Sequence, residues 1–124
     1  GASLAAETGA ESGEDLARLL DALPPGAIGV DLNPARLILG GYSPTEAVET
    51  LGDRVLHCHL NDARRSSFPG EGEAAPLGRG DADLPTLLGR LEEQGYRGYY
   101  TLQLPGGADA VQQASSAVSY LRRL

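Results

Sequence analysis

Four short apolar segments of this chain each run into polar residues with chemical potential. Glu7 closes the first, Asp31 and Asn33 the second, His59 the third, and Gln103 the fourth. In folds where parallel strands alternate with helices, the carboxyl ends of the strands gather on one face, so these side chains should converge. A carboxylate, a carboxamide, an imidazole and a second carboxamide at one mouth outline a divalent-metal site. Half of the negative charge such a site needs is missing, however, because the carboxamides are neutral.

The elements that must position them follow from apolar periodicity and punctuation. A first strand is expected over about Ser3 to Glu7. Ser12-Gly13-Glu14-Asp15 is a capping box in acidic form, opening a helix with Leu16, Leu19, Leu20 and Leu23 on one face. Pro24-Pro25-Gly26 stops that helix, because proline cannot continue the hydrogen-bond ladder. A second strand is expected from about Ala27 to Leu32, then a short helical or irregular stretch through Leu37, broken by Gly40-Gly41. Ser43-Pro44-Thr45-Glu46 starts another helix, with Ala47, Val48 and Leu51 buried.

The third strand is Arg54 to Leu60, and Asn61 to Gly80 reads as one long functional or mobile loop. Asp81 or Asp83 is expected to cap a helix whose Leu84, Leu87, Leu88 and Leu91 fit the helical template. Gly95 ends it, Tyr99 to Leu104 forms the fourth strand, and Ala108 to Arg123 a last helix burying Val111, Ala114, Val118 and Leu121. Strand parity puts Leu4, Ala6, Ile28, Val30, Leu56 and Cys58 under the helices. The same parity sends Ala5, Gly29, Val55, Tyr99 and Thr101 to the face that carries the site residues. Four βα units imply an α/β fold with a parallel sheet and right-handed crossovers.

Composition restricts the function classes. The formal charge of −7 and the absence of a basic stripe argue against nucleic-acid binding. No apolar run approaches a membrane span. Cys58 is the single cysteine, so no disulfide can form within the chain, and a reducing, cytoplasmic setting is expected. Its strand parity makes it a small hydrophobe packed beneath a helix. No Met occurs, and Gly1 to Glu7 reads as a strand already under way, so residues 1–124 are expected to be part of a longer product.

Four motifs carry a resemblance. They are Gly29-Val30-Asp31-Leu32-Asn33-Pro34-Ala35-Arg36-Leu37, His57-Cys58-His59-Leu60-Asn61-Asp62, Pro76-Leu77-Gly78-Arg79-Gly80-Asp81, and Gly95 through Gln103. In that order and spacing they resemble the xylose isomerase-like TIM-barrel superfamily, which includes sugar and sugar-phosphate isomerases and epimerases and the endonuclease IV type of repair enzyme. The likeness implies half of a (β/α)8 barrel, strands five to eight, with residues 1–124 as a C-terminal half-barrel.

The resemblance also implies a divalent metal (Mn, Mg or Zn) held by Glu, Asp, His and Glu from those strands. Glu7 matches the first ligand and His59 the histidine, while Asn33 and Gln103 stand where the family has acids. Arg36 replaces an accessory histidine. Glu7 is thereby the candidate catalytic residue, and Arg36, His57 and Arg65 are candidate substrate contacts. Each acid-to-amide change removes one negative charge from the cation's ligands, and Gln103 cannot take a proton as a second base. Asp31, two residues before Asn33 on the same face, is a candidate replacement ligand at a different depth.

Two functions are consistent with this pattern. One is a metal-dependent sugar isomerase or epimerase with a degenerate site. The other is a barrel that binds a small sugar or polyol without metal. The open strand edges require a partner, either a second copy or an N-terminal half.

Overall fold

The computed structural model describes all 124 residues, Gly1–Leu124. In chain order the elements are β1 (Ala5–Glu7), α1 (Gly13–Asp21), β2 (Gly29–Leu32), α2 (Pro34–Leu39), α3 (Pro44–Leu51), β3 (Val55–Leu60), β4 (Asp62–Arg64), β5 (Glu73–Ala75), α4 (Leu84–Glu93), β6 (Tyr100–Leu102) and α5 (Ala110–Leu121). A 3-10 turn, Gly52–Arg54, leads into β3. The main sheet has the order β1-β2-β3-β6 with every pairing parallel, as the alternation of strands and helices requires. The fold is α/β.

Local chemistry sets the helix starts. The Ser12 hydroxyl accepts from Asp15 N at 3.1 Å and the Ser43 hydroxyl from Glu46 N at 3.3 Å, so both serines satisfy a backbone donor that a helix N-terminus leaves free. Asn33 does the same for α2, its Oδ1 accepting from Arg36 N at 3.1 Å. Asp83 stands at the N-cap position of α4, but its side chain makes no cap hydrogen bond and its φ is +48°. The Asp81 carboxylate instead accepts from Arg65 N at 2.7 Å.

Helices cover one face of the sheet. Val30 and Leu32 of β2 and Cys58 and Leu60 of β3 are buried there with Leu16, Leu37, Ile38, Val48, Leu51, Leu87 and Leu91. Several sequence expectations need correction. Leu19 (59% exposed) and Leu23 lie outside the core, because only the Leu16–Leu20 edge of α1 meets α3. In α5 it is Ala117 that is buried, and Val111 is 85% exposed.

A β-bulge reverses the expected parity at the start of β3. Val55 pairs with Val30 but His57, not Leu56, pairs with Asp31, so Leu56 is the extra residue. Val55 therefore enters the core, and Leu56 lies half exposed against Gly29, where any Cβ would collide with its side chain. Leu4 is also exposed, since no helix reaches the start of β1.

The long segment after β3 is not a single loop. β4 and β5 form an antiparallel hairpin with Asp62 opposite Ala75 and Arg64 opposite Glu73. Asp62, buried, organises the return to α4. Its Oδ1 accepts from Ala63 N and Ala82 N at 2.9 and 3.0 Å, and its Oδ2 from Gly78 N and Gly80 N at 3.1 and 2.9 Å. Four N–H groups around one carboxylate compensate its burial. A Cβ at Gly80 would strike that carboxylate, which is why glycine stands there.

This packing separates leucines that look equivalent in the sequence. Leu87→Ala should lower unfolding stability by about 2–5 kcal/mol, whereas Leu19→Ala should change it by less than ~0.5 kcal/mol in urea denaturation. Comparable losses at the two positions would contradict the packing described.

Candidate functional site

The bulge in β3 brings Asp31 level with His57, and alternation brings His59 to the same side. Asp31 Oδ1 accepts from His57 Nδ1 at 2.9 Å and from His59 Nδ1 at 3.0 Å. With an ionised Asp31, both imidazoles carry their proton on Nδ1. His57 Nε2 then accepts from the Thr101 hydroxyl of β6 at 2.8 Å, while His59 Nε2 has no partner within the chain. The two rings stand edge to face, centroids 4.7 Å apart. His57 and His59 do point the same way, as expected; the carboxylate joining them is Asp31.

One layer further along the strands lies a network of three amides. Asn33 follows β2, Asn61 follows β3 and Gln103 follows β6. Backbone donors fix the orientation of two of them: Asn33 Oδ1 accepts from Arg36 N, and Asn61 Oδ1 from Ala35 N at 2.9 Å. Their amide nitrogens must therefore face inward. Asn61 Nδ2 donates to Asn33 Oδ1 at 2.8 Å and to Gln103 Oε1 at 2.9 Å, and Asn33 Nδ2 donates to Gln103 Oε1 at 3.1 Å. Thr8 locks the Asn33 backbone, its hydroxyl accepting from Asn33 N at 2.9 Å and donating to Asn33 O at 3.3 Å.

Glu7 lies beside this network, its Oε1 accepting from Arg36 Nη1 at 2.6 Å. Arg36 keeps most of its side chain exposed at the mouth. Arg65 sits on the strand-end side of the hairpin, where its guanidinium donates to Tyr42 O at 3.3 Å; no hydrogen bond links it to Glu7, Arg36 or the histidines. Cys58, of opposite parity to the histidines, is fully buried, and burial first, then the charge of Asp31, pushes its thiol up to about 12. Buried on the helix-covered face, it packs as a small hydrophobe.

The positions at which the resemblance implies a cation are Glu7, Asn33, His59 and Gln103, and these residues do not fit one. The oxygens of Asn33 and Gln103 each accept two N–H groups already, and Glu7 is neutralised by Arg36. His59 Nε2 and the second oxygen of Glu7 are left without a partner, but one neutral nitrogen and one carboxylate already paired with a guanidinium make a poor set for a hard cation. A different group, Asp31, His57 and His59, brings three potential ligand atoms within 4.8 Å of one another.

Sequence reasoning missed Asn61 and Asp62. Both stand in the His57 to Asp62 motif, but nothing in their spacing tells a network amide or a loop-organising carboxylate from surface polarity.

A family model described as the xylose isomerase-like TIM barrel matches residues 4–124. Inosose dehydratase from Geobacillus kaustophilus (strain HTA426) is 24% identical over 135 residues, covering 96% of this chain and 44% of that protein. The crystal structure of a xylose isomerase domain protein from Planctomyces limnophilus superposes with a TM-score of 0.83 at 32% identity, covering 97% of this chain and 44% of that one. A xylose isomerase domain protein from Alicyclobacillus acidocaldarius shares the fold, with a TM-score of 0.66 at 20% identity, over 89% of this chain and 41% of its own. The chain thus spans less than half the length of these relatives.

The amide network makes the two acid-restoring substitutions unequal. Asn33→Asp keeps the helix cap but sets a carboxylate oxygen against Gln103 Oε1, and should reduce stability by about 1–3 kcal/mol. Gln103→Glu keeps the acceptor for both amide donors and should lose less than about 1 kcal/mol. Thermal unfolding at neutral pH checks the order; the reverse order would contradict the network.

Proposed function

We propose that this chain, which belongs to the xylose isomerase-like TIM-barrel family, is a C-terminal half-barrel that binds a small sugar or polyol, and that metal-dependent isomerase or epimerase chemistry at the family's ligand positions has been lost. The observation that carries this reading is the closed set Asn33, Asn61 and Gln103, in which neutral donors and acceptors satisfy one another where the family's acids would need a cation between them. Glu7 then serves to hold Arg36 rather than to ligate or to move a proton. Arg36, His57 and Arg65 are the proposed contacts to ligand oxygens. His57, His59 and the exposed guanidinium of Arg36 offer donors and acceptors suited to hydroxyl and carbonyl groups. One relative is named for action on an inosose, so ring polyols are the first ligand class to test. A cytoplasmic setting is proposed with this, in keeping with a single cysteine buried as a thiol.

Titration calorimetry tests the metal half of the reading. No saturable binding of Mg²⁺ or Mn²⁺ is expected in the micromolar range, and a submicromolar dissociation constant would overturn the reading. The triple variant Asn33→Asp, Arg36→His, Gln103→Glu should raise affinity, because it moves the local charge by three units toward the family pattern. Binding of inosose, inositol or xylose should survive excess EDTA. A ligand bound only with added Mg²⁺ or Mn²⁺ would contradict the proposal.

Assembly follows from the same half-barrel. β1 pairs only with β2 and β6 only with β3, so each leaves one edge unpaired, and Leu4, Leu56 and Tyr99 are exposed. We propose that a second copy or an N-terminal half covers them. Sedimentation equilibrium at micromolar concentration should show a dimer, or a one-to-one complex when that half is supplied. A stable 12.9 kDa monomer that ignores the other half would contradict it.

A further inference from the structure

We infer that Asp31, His57 and His59 bind a borderline transition cation, Zn²⁺ or Co²⁺, at a site offset from the family's ligand positions. Three donor atoms define it: Asp31 Oδ1, His57 Nδ1 and His59 Nδ1, with nitrogen-to-oxygen separations of 2.9 and 3.0 Å. Metal–nitrogen and metal–oxygen bonds of ~2.1 Å at right angles separate adjacent ligand atoms by about 3.0 Å. The two nitrogen-to-oxygen spacings match that separation, and all three donor atoms lie within 4.8 Å of one another, so a small rotation of the imidazoles would bring them onto one ion in the two-histidine, one-carboxylate arrangement.

The fold sets the ligands side by side and supports His57 from outside. β2 and β3 are paired neighbours, and the bulge at Leu56 is what sets Asp31 opposite His57. Thr101 Oγ1, on β6, lies 2.8 Å from His57 Nε2 and can accept its proton, the outer contact that frees Nδ1 for a metal and fixes the ring. All three side chains are partly buried, between 17% and 34% exposed, so a bound ion is sheltered but reachable from solvent.

The donor chemistry selects the ion. Two imidazoles and one carboxylate favour Zn²⁺, Co²⁺ or Ni²⁺ over Mg²⁺, whose preference is for several charged oxygens. Binding moves each imidazole proton from Nδ1 to Nε2 with no net change of charge, and His57 Nε2–H then donates to Thr101. This site rests on the proposed loss of Mg²⁺ and Mn²⁺ only in sharing His59: Zn²⁺ bound through Asp31 and His57 would leave that loss standing, and Mg²⁺ bound at Glu7 would not remove this site.

The experiment is titration of the folded chain with ZnCl₂, and with CoCl₂ followed by visible absorption, in a non-coordinating buffer. One equivalent should bind with a micromolar or tighter dissociation constant, and nitrogen NMR should show both Nδ1 resonances moving as they lose their protons. Asp31→Asn and His57→Gln should each weaken binding by at least about tenfold. Exposed Glu93→Gln should leave it unchanged. No saturable binding below about 100 μM, or binding that survives both site variants, would overturn the inference. Should a variant fail to fold, the NMR of the unaltered chain decides: Nδ1 resonances indifferent to Zn²⁺ would mean that the two hydrogen bonds to Asp31 are all the cluster does.

Discussion

The hydrogen bond from Asn33 Nδ2 to Gln103 Oε1 is the contact on which the mouth of this sheet depends. It spans from β2 across β3 to β6, strands that are not adjacent at that edge, with Asn61 bonded to both partners between them. Two carboxylates at this separation would repel each other unless a cation lay between. Two amides attract, because one presents N–H where the other presents C=O. Neutral chemistry thus closes a junction that acids close only with a metal.

The backbone determines which way the amides face. Arg36 N and Ala35 N, at the open start of α2, need acceptors and take them from Asn33 and Asn61. The helix start, the sheet edge and the network are therefore one unit, and Thr8 ties β1 into it through the Asn33 backbone. Arg36 belongs to the same pattern. A cation beside three neutral amides and one carboxylate balances Glu7 without any ion, where a histidine among acids would serve a metal instead. The remaining polar group at the mouth, Asp31 with its two histidines, lies a layer deeper and stands on its own.

Much of the fold was legible because it rests on local rules. Ser12 and Ser43 announce their helices through caps, and the leucines of α4 keep their period. What escaped was set by neighbours. The bulge at Leu56 arises from pairing with β2 and reverses the parity of Val55, which no pattern within β3 reveals. The hairpin of β4 and β5 is too short to show alternation, and Asp62 looks like any strand-end acid until four backbone N–H groups are seen around it. At the site, Glu7, Asn33, His59 and Gln103 were readable as a set with half its charge missing. That Asn61 completes the amide network, and that Asp31 faces the histidines, came only from side chains brought together across strands.

Amides that satisfy one another leave no place between them for a hard cation. Hydrogen exchange of the Asn33 and Asn61 side-chain amides, followed by nitrogen–proton NMR with and without millimolar Mg²⁺, tests this most directly. The inward amide protons should be protected from exchange, and their resonances should be unmoved by Mg²⁺. Fast exchange at solvent rates, together with shifts that saturate as Mg²⁺ is added, would contradict it.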